Sequence, residues 1–457
     1  MRRLIPLGLL LAIIAVYANA LHGPFVCDDL DSVVGNHFIR TLWPPNYLDI
    51  TTIGAIGGRP LVALSFALNY AAGELNPIGY HIFNISIHIA CALLLFGVIR
   101  RTMILPTWQG RFDSKFIDYF AGTAALLWGL HPIQTEAVDY VSQRSETMMS
   151  MFLLLVIYSV ARSAQSNRPI AWIILAIVAS ALGMACKQTM VVAPFLVLLY
   201  HWTFLPRRLP GRRILFSGLI CTWLVVVVAM HDQNVEEMNP TDGQHVSSWL
   251  YLQTQAGVIV HYLRLTFWPR GLTIDYRDWP VADGIRSALL PGSFLLLLLT
   301  ATVIACIRRQ WQGFAGAWFF LILAPSSSVF PLLREIAAER RMYLPLAAIV
   351  VLVLAELWQL FRSLFRASAP IVATIAILSV AVVLGASSSV RNRDFRSALA
   401  LWSDAVQKRP NSPVGHYYLC KAYADAGDFK NARIQDNITY ELIHGKTPRS
   451  QLPWPSD

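Results

Sequence analysis

YHIFNISIHIACALLLFGVIRR, residues 80–101, decides the fold class. From Tyr80 to Ile99 no residue carries a formal charge, and the run then meets Arg100 and Arg101. A helix of about 20 apolar residues spans the roughly 30 Å of a bilayer's hydrocarbon. The arginine pair marks one membrane face, because short loops rich in Lys and Arg stay cytoplasmic. His81 and His88, seven positions apart, fall on one face of this helix. They read as packed or capping side chains, with metal ligation the competing reading.

The rest of the chain repeats the pattern. Of its 457 residues 55% are hydrophobic and 14% charged, where a soluble domain carries roughly a quarter of charged residues. Eleven apolar runs read as spans, at about 4–20, 80–99, 116–131, 145–163, 169–186, 188–205, 214–231, 288–307, 313–330, 342–361 and 368–387. The 37 Lys and Arg against 27 Asp and Glu leave a charge of +10. Much of that surplus clusters between the runs: Arg2 and Arg3; Arg100, Arg101, Arg111 and Lys115; Arg162 and Arg168; Arg207, Arg208, Arg212 and Arg213; Arg308 and Arg309; Arg362 and Arg366. These loops alternate along the chain, so the surplus reads as a topology signal and nucleic acid is rejected as a partner. The N-terminus is expected on the cytoplasmic side and the stretch after Val390 outside.

The expected organisation is an all-α polytopic membrane domain over 1–390 and a helical tail over 391–457. Two outer loops are long, 21–79 and 232–287. In the second, YLQTQAGVIVHYLRLTFWP (251–269) carries a polar stripe of Gln253, Gln255, His261 and Arg264 and reads as an amphipathic helix at the interface. In the tail, Ala398, Trp402, Ala405 and Pro410, then Leu419, Tyr423, Gly427 and Ala432, fit about one and a half tetratricopeptide units. Stacked repeats need about three units to bury a continuous core, so this tail is expected to pack on the membrane domain or a partner. The six cysteines show no metal or redox spacing; a Cys27–Cys420 bridge stays open.

The polar residues gather in the outer loops. FVCDDLDSVVGN (25–36) supplies Asp28, Asp29 and Asp31 where the first span ends, and Arg59 follows. HPIQTEAVDYVSQRSE (131–146) supplies His131, Glu136, Asp139, Arg144 and Glu146. Lys187 sits between two apolar runs, and Glu335, Glu339, Arg340 and Arg341 close the set. Each has a plain reading: aspartates cap helices, a lysine at a span end snorkels, and His131 before Pro132 satisfies helix-end carbonyls. Read together, they offer a carboxylate base for a hydroxyl acceptor and cations for a leaving phosphate. Two adjacent carboxylates also disfavour joint ionisation, which tunes one upward. The rim acids suit Mg or Mn, yet no motif spells out a ligand set.

Several blocks resemble the transmembrane-and-tetratricopeptide-repeat O-mannosyltransferases and their bacterial relatives. They are VCDDLDSVVGN, RPLVALSFALNY, HPIQTEAVDYVSQRSETM, ACKQTMVVAPFLVLLYHW, RLTFWPRGLTIDY and AAERRMYLP, spread from about residue 20 to 435. The resemblance implies a GT-C fold with about eleven spans, in a bacterial inner membrane, with its active face extracytoplasmic. It implies a polyprenyl-phosphate sugar donor and a protein or glycan hydroxyl acceptor. It carries the catalytic base onto Asp28 with Asp29 as its partner, and the donor phosphate onto Arg144, Lys187 and Arg340. Arg59, His131, Glu136, Glu146 and Glu339 are expected to support the substrates. Gln188 departs from the usual acid after the lysine, Arg341 and Met342 from the usual aromatic and Leu, and the repeat array is short. A non-catalytic scaffold with a docking tail is therefore the alternative. A transporter fits less well, since no inverted repeat and no acid well inside a span is visible.

Overall fold

The computed structural model describes residues 4–48, 57–108, 110–207, 209–230, 246–328, 331–332 and 335–445, and every regular element among them is helical. Helix is what a bilayer demands, because it satisfies each backbone N–H and C=O within one segment. The N-terminal helices are α1 (Leu4–Tyr17), α2 (Pro60–Gly73), α3 (Pro77–Met103), α4 (Ser114–Gly129) and the short α5 (Thr135–Asp139). There follow α6 (Arg144–Ser163), α7 (Pro169–Met184), α8 (Ala193–Phe204), α9 (Arg212–Cys221) and α10 (Trp223–Met230). The second half has α11 (Ser248–Phe267), α12 (Ile285–Ile307), α13 (Trp311–Leu323), α14 (Pro345–Phe365) and α15 (Ala369–Arg391). The tail adds α16 (Ala398–Lys408), α17 (Pro413–Asp425) and α18 (Phe429–His444).

Local chemistry sets the starts. Proline opens α2, α3, α7, α14, α15 and α17, where its missing N–H has no intrahelical partner to lose. Asn76 caps α3 by accepting from the Ile78 N–H at 3.1 Å, and Asp113 caps α4 through the Lys115 and Phe116 N–H groups at 2.8 Å. Small residues set close approaches. A Cβ on Gly313 would stand 2.4 Å from the Cys306 backbone nitrogen, so only glycine lets α13 fold back on α12 this tightly.

Five stretches among the described residues are long and apolar enough to cross a membrane: Pro77–Met103, Val141–Ser163, Arg212–Ala229, Ile285–Ile307 and Pro345–Arg396, the last containing α14 and α15. Shorter apolar helices cover Leu4–Ala20, Pro60–Gly73, Pro169–Met184, Gln188–Phe204 and Trp311–Leu323. Each expected span coincides with a helix, but helix length alone does not fix eleven crossings. The loop expected over 21–79 contains α2, which the sequence hides because its 14 residues fall short of a span. The segment expected to lie at the interface forms helix α11, with Gln253 and Gln255 of its polar stripe buried. Arg2, Arg3 and Arg208 lie outside the described residues.

The turns α3–α4, α6–α7, α8–α9, α12–α13 and α14–α15 carry the arginine clusters. The turns α1–α2, α4–α6, α7–α8 and α13–α14 alternate with them and carry the polar motifs. These polar turns are packed into the molecule: nearly every residue from Gly129 to Ser150 is buried. The Trp128 indole N–H donates to Tyr343 O at 2.7 Å, and the Trp318 indole to Leu344 O at 2.9 Å. Those bonds fix the strand of chain that carries Arg340. The tail helices pack in sequence, and Lys408 Nζ donates to Leu272 O at 2.6 Å while Ser412 Oγ donates to Asp275 at 2.5 Å. The tail thus packs on the segment between α11 and α12, in keeping with its shortness.

Candidate active site

The site is built around the 131–146 turn. Asp29 is fully buried; one carboxylate oxygen accepts from the Val26 N–H at 3.0 Å, and the other from the Ser142 N–H at 2.6 Å and the Ser142 hydroxyl. Burial pushes the Asp29 carboxyl up to about 7, against the pull of those hydrogen bonds. The Tyr140 hydroxyl accepts from the Asp28 N–H at 2.9 Å. Cys27 takes a left-handed φ of 52°, which a side-chain-bearing residue adopts only when its surroundings dictate it. The outcome is a division within the acid pair. Asp29 faces the protein, and Asp28 faces a small polar pocket with no hydrogen bond from a described side chain to its carboxylate.

Arg340 and Arg277 share that pocket, with Glu335, Asp275 and Trp402. Arg340 is held on both sides. Glu136, itself 1% exposed, accepts from the Arg340 backbone N–H at 2.9 Å and pairs with its guanidinium, and Glu335 takes the other nitrogen. Desolvation raises the Glu335 carboxyl, but Arg340 and Arg341 outweigh it and hold it at about 2. The Glu335 side chain keeps 42% of its surface exposed, so it is the replaceable partner of the two.

A second cationic group borders this one. Lys187 Nζ meets Glu146 at 2.5 Å, and Arg59 donates to Ser145 Oγ at 3.2 Å. Lys187 is therefore paired with Glu146 despite the Gln188 departure. Burial lowers the Lys187 ammonium and outweighs Glu146, with Arg59 and Arg340 adding to the fall. Arg59 in turn feels Glu335, Asp28 and Arg340. Asp28, Arg59, Glu146, Lys187, Glu335 and Arg340 are therefore one electrostatic neighbourhood drawn from four separate turns.

Other expected residues lie behind it. Arg144 is fully buried and does not line the pocket: it donates to Asn84 at 2.7 Å, Tyr80 O at 3.0 Å and Ser65 at 3.2 Å, and its guanidinium lies over the Phe83 ring. His131 accepts from the Ile133 N–H at 3.2 Å and donates to Thr266 O at 2.9 Å. It therefore caps its own turn and satisfies the end of α11 rather than its own helix, and burial lowers its imidazole to about 4. His81 bonds Gly23 O, and His88 bonds the Tyr343 hydroxyl and Gly129 O, the packed reading. Cys27 and Cys420 are both free thiols. Among the described residues no three His, Cys, Asp or Glu side chains group as a metal site.

Glu339 is fully buried and accepts from the Thr273 N–H and the Tyr276 hydroxyl, both at 2.6 Å. Burial pushes its carboxyl up to about 8. With the folded value above the unfolded one, its contribution to stability is complete below about pH 4 and is lost as pH rises through 8. Each pH unit in that window costs about 1.4 kcal/mol. Glu339→Gln, which mimics the protonated acid, is expected to flatten the fall in thermal midpoint between pH 6.5 and 8. An unchanged slope would remove the assignment.

Sequence reasoning missed Tyr140, Ser142, Arg277 and Trp402. Trp402 was legible only as a repeat position, although it forms a pocket wall and its neighbour Tyr418 stacks on it at 4.5 Å.

Comparison with known proteins bears on this geometry. Residues 112–231 match the family described as dolichyl-phosphate-mannose-protein mannosyltransferase. The chain is 24% identical over 442 residues to protein O-mannosyl-transferase F38B6.6 of Caenorhabditis elegans, covering 91% of this chain and 59% of that protein. The chain is similar in sequence to proteins named protein O-mannosyl-transferases. A segment of 189 residues is 31% identical to Tmtc1 of Drosophila melanogaster, covering 39% of this chain and 20% of the fly protein. Mouse TMTC4 is 22% identical over 484 residues, covering 90% and 63%. The chain thus spans less than two thirds of each of these relatives. No solved structure matches it.

Proposed function

We propose that this chain is an integral-membrane glycosyltransferase that moves a sugar, mannose by its kinship, from a polyprenyl-phosphate donor to a hydroxyl on the extracytoplasmic face. We further read it as a GT-C fold of about eleven crossings with a tetratricopeptide-like tail on that face. The observation that carries the reading is the joint placement of Asp28 and Arg340 in one pocket, with Arg59 and Lys187 beside it.

In this mechanism the acceptor hydroxyl gives its proton to the Asp28 carboxylate as its oxygen bonds the sugar's anomeric carbon. The bond from that carbon to the phosphate oxygen breaks, and the polyprenyl phosphate leaves with the electron pair. A single displacement inverts the anomeric centre. Arg340, Arg277, Lys187 and Arg59 stabilise the phosphate as its charge grows, which a desolvated, preorganised site does more strongly than water. Asp29 and Tyr140 position Asp28, and Arg144 holds the 131–146 turn from behind. Trp402 walls the acceptor side, which gives the tail a role in the site itself.

The acids already around Arg340 define the donor's entry. The phosphate replaces Glu335, whose exposed carboxylate occupies the place of an anion. Glu335→Gln is expected to lower the KM for donor several-fold with little change in kcat, read by initial rates of transfer; an unchanged or raised KM would remove Glu335 from this role. The scaffold reading draws on the same fact, since an arginine neutralised by two acids is also what a purely structural site needs. Mass spectrometry of exported proteins and glycolipids, with and without this chain, separates the two. Loss of a hexose increment supports the transferase, and identical glycan profiles support the scaffold.

A further inference from the structure

A large apolar cavity lies at the other end of the bundle. It encloses about 390 Å3 between α3, α4, α8, α13 and α14, within the range of small-molecule pockets. Its floor is set by small residues of α14, Ala347, Ala348 and Ala355, opposite Trp311 and Trp318. Of its few polar residues, Thr102 and Tyr200 satisfy each other through a 2.7 Å hydrogen bond, and Gln359 and Arg362 belong to the last turns of α14. From Ala347 to Arg362 the cavity follows about 22 Å of helix. That exceeds half of a hydrocarbon core of roughly 30 Å, so one leaflet's chain length fits alongside.

One wall is a continuous aromatic ladder. Trp108 and Phe112 stack at 6.2 Å, Phe112 and Phe116 at 5.1 Å, and Phe116 meets Trp358 at 5.0 Å. The ladder ends at two arginines. Arg362 lines the cavity, and the Arg111 guanidinium lies 5.2 Å from the Trp108 ring centroid. Both are exposed, and neither pairs with an acid among the described residues. Nearby Arg100, by contrast, is neutralised by Asp118 at 2.5 Å.

We infer that this cavity holds one acyl chain of an anionic phospholipid from the leaflet at the basic end, with its phosphate between Arg111 and Arg362. An apolar slot of leaflet depth selects a hydrocarbon chain. Arg362 in its lining and Arg111 over the lining ring of Trp108, neither paired with an acid among the described residues, select a negative headgroup, and the aromatic rings beside them suit the bilayer interface. The chain is thereby anchored to one leaflet at the end remote from the transfer site, independently of whether that site transfers sugar.

The test uses the full chain in nanodiscs of phosphatidylcholine and phosphatidylglycerol, with lipids that remain bound after release counted by native mass spectrometry. Phosphatidylglycerol should be retained over phosphatidylcholine of the same chains. R111Q/R362Q should bind it roughly 25-fold more weakly, about fivefold per arginine. Filling the slot by Ala348→Phe, or at another level by Ala355→Phe, should remove it, in whichever variant keeps wild-type helicity and dispersity. Equal retention of both lipids, or unchanged retention in R111Q/R362Q, would overturn the inference. So would a slot whose filling expels added polyprenyl phosphate and leaves phosphatidylglycerol in place.

Discussion

Asp28→Asn is expected to cut sugar transfer by roughly 10²- to 10⁴-fold, the range removed with a general base. The substitution is nearly isosteric, and no described side chain donates a hydrogen bond to that carboxylate. Folding should therefore be untouched: helicity, thermal midpoint and elution should match wild type. Donor binding should hold or tighten, because a negative charge leaves the pocket. The neighbouring Asp29→Asn should behave otherwise. It puts an amide NH₂ where one of three donors now points, so it should lower thermal stability and loosen the first outer loop. Two adjacent aspartates giving a catalytic phenotype and a stability phenotype would be hard to explain without the division seen here. Transfer that persists in Asp28→Asn would remove the base from the mechanism.

Arg340→Met should do more damage, and of two kinds. It leaves Glu136, 1% exposed, without its cation, and breaking a buried pair from one side costs about 3–5 kcal/mol. The single variant should therefore express poorly and melt early. Adding Glu136→Gln removes the orphaned charge, so R340M/E136Q should recover most of the thermal midpoint. Transfer should stay lost, because the phosphate has no arginine to meet. Recovery of both stability and transfer in the double variant would make Arg340 a structural cation only.

Much of this was legible because bilayer physics is written in long uniform runs. The stretch 80–101 announces a span and its basic end without reference to any neighbour, and α3 forms over it. The alternation of arginine loops grouped the polar turns, and the structure brings Asp28, Arg59, Glu146, Lys187, Glu335 and Arg340 from those turns into one neighbourhood. What that grouping could not carry was direction. Asp28 and Asp29 are identical in sequence terms, and only the left-handed turn at Cys27 and the donors from Ser142 separate them. Arg144 and Arg340 are likewise both arginines in polar turns, yet one is spent on Asn84 and Tyr80 and the other faces the pocket. Glu146 as the partner of Lys187 and Trp402 as a pocket wall are contacts over 41 and about 370 positions, where no local pattern reaches. Helix α2 stayed hidden for a different reason: too short to cross, it gives no span signal.

Thiol labelling at position 28 reports whether that residue stands in the donor's site. Asp28→Cys in proteoliposomes is treated with a membrane-impermeant maleimide added from the face bearing the tail, with or without polyprenyl phosphate, and occupancy is read by peptide mass spectrometry. Labelling from that face and protection by polyprenyl phosphate are expected. Labelling only from the opposite face, or at the same rate with the lipid phosphate present, would contradict that placement.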